Sequence, residues 1–250
     1  MLQNTHNWFT RTYQLKNPKQ KPKIKELQLE RLVEQVDGYC ERADFELWAE
    51  PINAVTNIAF LLAAFALGRY LKAVETQTGT RDPQSRALIY ILWAIGFGSL
   101  AFHTFATIWA VIADTLPIII IILTYVYLAL RRFFGLPVAA ALLGPPALIG
   151  LAFVFGQTGF AGATYLPALI GMIVLSLAAT LRGQYNIGYA LAVSSLVFGV
   201  SLGLRTIDEP MCLQITIGTH WAWHVLNALT LYLVIKLHID HHLKASTRET

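Results

Sequence analysis

The sequence predicts an all-α membrane protein, a bundle of seven transmembrane helices. Composition, charge placement and the length of its apolar runs carry that prediction. Hydrophobic residues make up 55% of the chain and charged residues 14%, and the mean hydropathy is +0.51. A soluble domain carries roughly 25% charge. Eight of the 15 acids and eight of the 19 Lys/Arg fall within the first 50 residues, which leaves seven acids and 11 bases for the other 200. That is too little charge to solvate a globular surface, and it argues against a soluble enzyme, a nucleic-acid binder or a disordered protein. The net charge of +4 therefore belongs to loops and a basic tail rather than to a DNA-binding face.

A helix needs about 20 apolar residues to cross the hydrocarbon core. Seven stretches qualify: 51–69, 87–106, 110–130, 136–156, 162–181, 185–204 and 217–236. They are continuously apolar, whereas a β-barrel would alternate over segments of roughly ten residues. Gly144-Pro145-Pro146 predicts a kink or break in the fourth. Residues 1–36 form a polar segment that begins without the apolar stretch of a cleavable signal peptide. Within it, Leu29, Leu32, Val33 and Val36 recur at helical spacing, predicting a short amphipathic surface helix over Ile24–Val36. Residues 37–238 are read as the seven-span domain and 239–250 as a cytoplasmic tail.

Basic residues near span ends set the orientation. Arg69, Lys72, Arg81 and Arg86 lie in the first loop, Arg131 and Arg132 in the third, Arg182 in the fifth, and Lys236, Lys244 and Arg248 at the C-terminus. Odd loops and the C-terminus are thus expected in the cytoplasm and the N-terminus outside, in an integral, multi-pass protein. The lysines between 16 and 25 oppose this, but they lie far from the first span, where the rule weakens.

Ionisable residues inside a span are expensive and point to function. Here the spans hold one acid, Asp114, and three histidines, His103, His220 and His224. Ser99 and His103 are four apart on one helix face, as are His220 and His224. A His pair at i, i+4 can present two nitrogens to one metal. His103 and Asp114 flank a short turn around Ala106–Trp109, so both should sit roughly 8 Å below it. The seventh span enters from the same side. Five polar groups then share one layer, the composition of a zinc site with an open fourth position. Taken singly, each histidine is as readily a hydrogen-bonded packing residue. The group His238, Asp240, His241 and His242 also looks metal-like, but it lies at the solvated inner end.

The chain resembles the alkaline ceramidase family, part of a superfamily of seven-span metal-dependent membrane hydrolases. The resemblance spans roughly residues 37–238. It rests on Tyr39-Cys40-Glu41 with Glu50-Pro51-Ile52-Asn53 and Thr56-Asn57, on Ser99 through His103, on Asp114, on His220-Trp-Ala-Trp-His224, and on Asp208 with Cys212. The Ser-x3-His and His-x3-His pieces would also fit the adiponectin-receptor branch; the Cys-Glu and Glu-Pro-x-Asn pieces favour ceramidases. The resemblance implies zinc held by His103, His220 and His224, Asp114 as general base, and Ser99 stabilising the oxyanion. It further suggests calcium near Asp37, Glu41 and Glu50, although Gly38 and Ala43 depart from the pattern. The alternative for these acids is a cap over helix N-termini. Cys40 and Cys212, the only cysteines, both fall outside by the topology above, and their pairing matches the resemblance, so a disulfide is expected rather than two free thiols.

The expected activity is a zinc-dependent hydrolysis of the amide of ceramide or a related N-acyl lipid, with a membrane lipid as substrate, no nucleic acid and no obligate protein partner. The alternatives are a receptor-like seven-span protein with a slow or vestigial zinc site, or a transporter. A proton relay is disfavoured because its groups would extend to the far side of the membrane.

Overall fold

The structure, a computed structural model, describes residues 29–246. Among these the regular elements are all helices, with no strand beyond one isolated β-bridge. Seven helices are long and apolar enough to cross a membrane: Pro51–Thr78, Pro83–Phe105, Ile108–Arg132, Val138–Gly156, Ala163–Leu181, Tyr185–Thr206 and His220–Leu243. Each packs against its neighbours in sequence, and the seventh closes the ring against the first while also touching the second and third. The seventh is accordingly the most buried span and the fourth the least. Leu67, Leu71, Leu92, Ile95, Ile121, Leu191 and Ile235 fill the interior. Leu62, Phe65, Phe97, Ile119, Val174 and Leu196 point outward, exposed.

Local chemistry explains the helix ends. The first span is two pieces, Pro51–Thr56 and Ile58–Thr78, joined at Asn57 and closed by Gly79 in the left-handed conformation. It therefore runs nine residues beyond the expected end at 69. The second span starts with Asp82 as N-cap, whose carboxylate accepts from the Ser85 amide, and with Pro83 in the first turn. The fourth is broken as expected: Val138–Ala141 ends before Leu143, and a new helix starts at Gly144 with prolines in its first turn, where their missing N–H costs nothing.

Two expectations are corrected. Of the amphipathic helix over Ile24–Val36, residues 24–28 lie outside the described residues. Residues 29–32 are helical, but 34–36 run extended. Val36 donates its N–H to Ala106, Ile108 donates to Glu34, and Gln35 bridges Thr107. The tight turn between the second and third spans offered unpaired backbone groups, and pairing with them outweighed helical continuation. Leu29, Leu32 and Val33 stay exposed. The final helix, expected to end near 236 before a tail from 239, runs unbroken from His220 to Ser246. His238 and Ile239 are buried, and a Lys236–Asp240 ion pair at i, i+4 supports the turn.

Candidate metal centre

The three histidines meet at one end of the bundle. His103, His220 and His224 are all buried, and one nitrogen from each lies within 4.8 Å of the others, the cluster of three such ligands found among the described residues. Ring centroids are 4.6 to 5.2 Å apart. His103 Nε2, His220 Nδ1 and His224 Nε2 have no hydrogen-bond partner. A buried polar atom without a partner is costly, and three lone-pair nitrogens converging on one point form a donor set that could hold a metal ion.

The remaining nitrogens of two of these rings are held by the start of the first span. Glu50 Oε2 lies 2.6 Å from His103 Nδ1, and Thr56 Oγ1 lies 2.9 Å from His224 Nδ1. Thr56 spends its own proton on the Ile52 and Asn53 carbonyls. It is then free to accept from His224, an arrangement that puts the proton on Nδ1 and leaves the lone pair on Nε2. Glu50 fixes His103 in the same tautomer. Arg42 Nε lies 2.5 Å from Glu50 Oε1, and Asn53 Nδ2 donates to Oε2 at 3.0 Å. Burial alone would raise the Glu50 pKa, but His103, Asn53 and Arg42 outweigh it and hold the carboxyl below its ordinary value. A charged acceptor behind a ligating imidazole is how proteins orient a metal-binding histidine.

His220 is placed from the other side. Asp208 accepts from the N–H groups of Cys40, Thr219 and His220 at 3.2, 2.5 and 2.8 Å, and so caps the seventh span. Gly218, at φ +62°, lets the chain turn there; a Cβ would run into the Asp208 carboxylate and Cys40. Cys40 and Cys212 form the expected disulfide, tying this loop to the segment before the first span. Tyr39, next to Cys40, stacks on His220 with centroids 3.6 Å apart. Burial pushes the Tyr39 phenol up to about 12, with Arg205 pulling the other way.

Ser99 is buried one turn before His103, and Asp114 faces it from the third span, within electrostatic reach of Ser99, His103 and Arg205. Asp114 Oδ1 is buried without a partner. Gly98 makes the juxtaposition possible, since a Cβ there would collide with the Ala113 carbonyl. The three acids suggested for calcium do not form such a cluster. Asp37 is exposed, Glu41 accepts from the amides of Ile52 and Asn53 at 2.7 and 2.8 Å, and Glu50 serves His103 and Arg42. For Glu41 the capping alternative describes what is seen.

Sequence reasoning gave Thr56, Arg42 and Arg205 no role beside the histidines, and assigned Glu50 to a different ion. Thr56 and Glu50 carried one usable signal, since both fall near the start of an apolar run in which polar residues recur at helical intervals. Next to the site, an apolar cavity lined by Tyr165, Met172, Phe198, Trp223 and Leu231 runs along the seventh span as far as Tyr125 and Val234. Trp223 to Val234 corresponds to about 16 Å of helix.

A protein-family model described as Ceramidase matches residues 37–250. None of the curated proteins compared matches the chain.

Proposed function

The chain belongs to the Ceramidase family, and from that premise we propose that it is an integral, multi-pass zinc hydrolase cleaving the amide of ceramide or a related N-acyl lipid to a fatty acid and an amine. The observation that carries this reading is the convergence of three buried, unpartnered imidazole nitrogens from His103, His220 and His224, two of them with their tautomers set from behind. Three neutral imidazoles fit zinc, a borderline-soft ion that takes nitrogen ligands and keeps a fourth position open at catalytic sites. When bound, zinc polarises a carbonyl oxygen and lowers the pKa of water to near 7.

The chain supplies the rest. His103, His220 and His224 would hold the metal. The Asp114 carboxylate takes a proton from the attacking water and later returns it to the departing amine. The Ser99 hydroxyl donates to the oxygen that gains charge as water adds to the carbonyl. The apolar cavity takes a hydrocarbon chain and excludes water around the scissile bond.

The seven apolar helices with outward Leu, Phe and Ile side chains support the membrane assignment. The disulfide at the histidine end, and the clustering of Arg69, Arg81, Arg86, Arg131, Arg132 and Arg182 at the opposite end, favour an exterior N-terminus and a cytoplasmic C-terminus. On this reading residues 1–36 are an exterior segment and 37–238 the catalytic domain. The test is metal analysis of detergent-purified protein together with fatty-acid release from a panel of N-acyl lipids. About one zinc per chain is expected, and His224→Ala should lose metal and activity together. Full zinc occupancy in the triple His→Ala variant rejects the ligand assignment.

A further inference from the structure

Arg205 is the cation that the mechanism above leaves unused. It sits in the last turn of the sixth span, at the histidine end. Its guanidinium lies over the rings of Trp223, Tyr165 and Tyr39, at 5.2, 5.5 and 5.7 Å from their centroids. Nη1 donates to the Tyr39 hydroxyl at 2.8 Å, while Nε is buried with no partner. No carboxylate among the described residues forms an ion pair with it, although Asp114 lies within electrostatic reach. Two of the three rings, Tyr165 and Trp223, also line the apolar cavity, and the third stacks on His220. The guanidinium thus stands where cavity and histidine cluster meet.

A half-buried guanidinium whose Nε is sealed from water without a partner, and whose hydrogen bond goes to a neutral phenol, is under-compensated. Aromatic faces attract a cation but accept no strong hydrogen bonds, and a charge removed from water calls for a counter-charge. Arginine presents a planar fork suited to carboxylate or phosphate. One guanidinium balances one negative charge; a phosphate dianion would leave a second charge in an apolar cavity.

We propose that Arg205 selects substrates bearing a carboxylate close to the amide nitrogen, so that the preferred lipid is an N-acyl amino acid rather than a neutral ceramide. The proposal rests on the amide-hydrolase reading and narrows its substrate class. The reaction balances simply: water adds across the C–N bond, the acyl carbon takes the hydroxyl oxygen, the nitrogen takes the proton, and a fatty acid and an amino acid leave. The cavity takes the acyl chain and Arg205 takes the carboxylate, with the amide held between them beside the histidines.

The experiment uses purified, zinc-replete full-length protein with N-palmitoylglycine and its uncharged counterparts N-palmitoylglycinamide, N-palmitoylethanolamine and a ceramide. Fatty-acid release and the shift in melting temperature are both read. Wild type should prefer N-palmitoylglycine by about 10–100-fold in kcat/KM, with the difference mostly in KM, as expected for a charge-assisted fork. It should also be stabilised more by that ligand. Arg205→Gln should erase both preferences, read as the ratio of kcat/KM for N-palmitoylglycine to that for each neutral amide and as the difference between their melting-temperature shifts, with zinc retained. Arg205→Lys should keep the charge but recover only part of the preference. Equal or better use of the neutral amides by wild type overturns the proposal without any variant, as does an unchanged preference in Arg205→Gln. Selective stabilisation by N-palmitoylglycine with no hydrolysis of any amide upholds carboxylate recognition and rejects the hydrolase reading instead.

Discussion

The bundle carries a buried polar cluster at each end, and the two differ in how their hydrogen-bonding capacity is spent. At the end away from the histidines, Asp82, Ser85, Arg132 and His238 satisfy one another. Arg132 grips both Asp82 oxygens at 2.7 and 2.8 Å, and reaches the His238 carbonyl and the Gln84 side chain at 3.0 and 2.8 Å. Ser85 donates to Asp82 at 2.6 Å and sits 2.9 Å from His238 Nδ1. At the histidine end the polar groups are left open. Of the ten buried side-chain atoms without a partner among the described residues, eight belong to Asn53, Asn57, His103, Thr107, Asp114, Arg205, His220 and His224, all at that end; His238 Nε2 and Gln184 Oε1 are the exceptions. Both clusters contain histidine, aspartate, serine and arginine, so composition does not separate them. Satisfaction does. A network whose atoms pair internally locks helices together, while one whose atoms converge unpaired is built to receive something.

Chemistry at Asp114 offers the largest effect and the sharpest attack on that distinction. Asp114→Asn nearly preserves volume and leaves all three histidines, so zinc content and melting temperature should hold. Turnover should fall by about 10²–10⁴-fold, the usual worth of a general base. Ser99→Ala should cost on the order of 10²–10³-fold, again with zinc retained. Wild-type turnover in a folded, zinc-replete Asp114→Asn protein would end the mechanism proposed for that residue.

The Asp82 end should respond in the opposite currency. Asp82→Asn leaves the Arg132 guanidinium without its anion and should cost about 3 kcal/mol of stability, the low end for breaking a buried pair because Arg132 keeps some solvent contact. Zinc content and substrate preference should not move, nor should they in His238→Gln. The same pair predicts an acid limb. Burial opposes ionisation of Asp82, but Arg132 and Ser85 outweigh it and hold its pKa well below the ordinary carboxylate value. A depressed carboxylate contributes its full stability above the ordinary value and loses it as pH falls toward the depressed one. Melting temperature should thus be flat down to about pH 5 and then decline, and Asp82→Asn should flatten that decline. An Asp82→Asn protein that keeps its stability but sheds zinc would erase the contrast between the two ends.

How much of this was readable in advance follows the same division. The seven spans and the three histidines were legible because continuous apolarity and intramembrane charge are local signals. So was the break at Gly144-Pro145-Pro146. The partners of those histidines were not. Glu50 and His103 are 53 positions apart, and an acid just before a span reads equally well as a cap, a calcium ligand or an orienting group. Thr56 looks like an ordinary helix residue until the seventh span is laid beside it. The final helix outran its expected end because His238 and its neighbours read as a solvated tail. Arg132 and Ser85, from two other helices, contact that histidine, and no pattern along the last helix encodes their presence.

Thr56 carries the smallest effect and the finest test of what sits behind a ligand. Its hydroxyl is the acceptor for His224 Nδ1–H, and it makes two intrahelical bonds in donating its own proton. Thr56→Val keeps the branched shape and removes the acceptor. The helix loses no backbone hydrogen bond, so stability should change little. If the hydroxyl sets the His224 tautomer, zinc affinity should fall by about 10–100-fold, the range for loss of an orienting partner. Thr56→Ser keeps the hydroxyl and should restore most of it. Glu50→Gln gives the upper comparison, because a neutral amide replaces a carboxylate that also pairs with Arg42. Competition titration with a chelator measures all three without requiring turnover. Unchanged zinc affinity in Thr56→Val would mean that other contacts, the Asn53 backbone carbonyl or the Phe60 ring against His224, hold the imidazole instead. The order Glu50→Gln, Thr56→Val, Thr56→Ser, from weakest binding to strongest, is the one expected if charge, then acceptor, then shape determine how firmly each histidine is aimed.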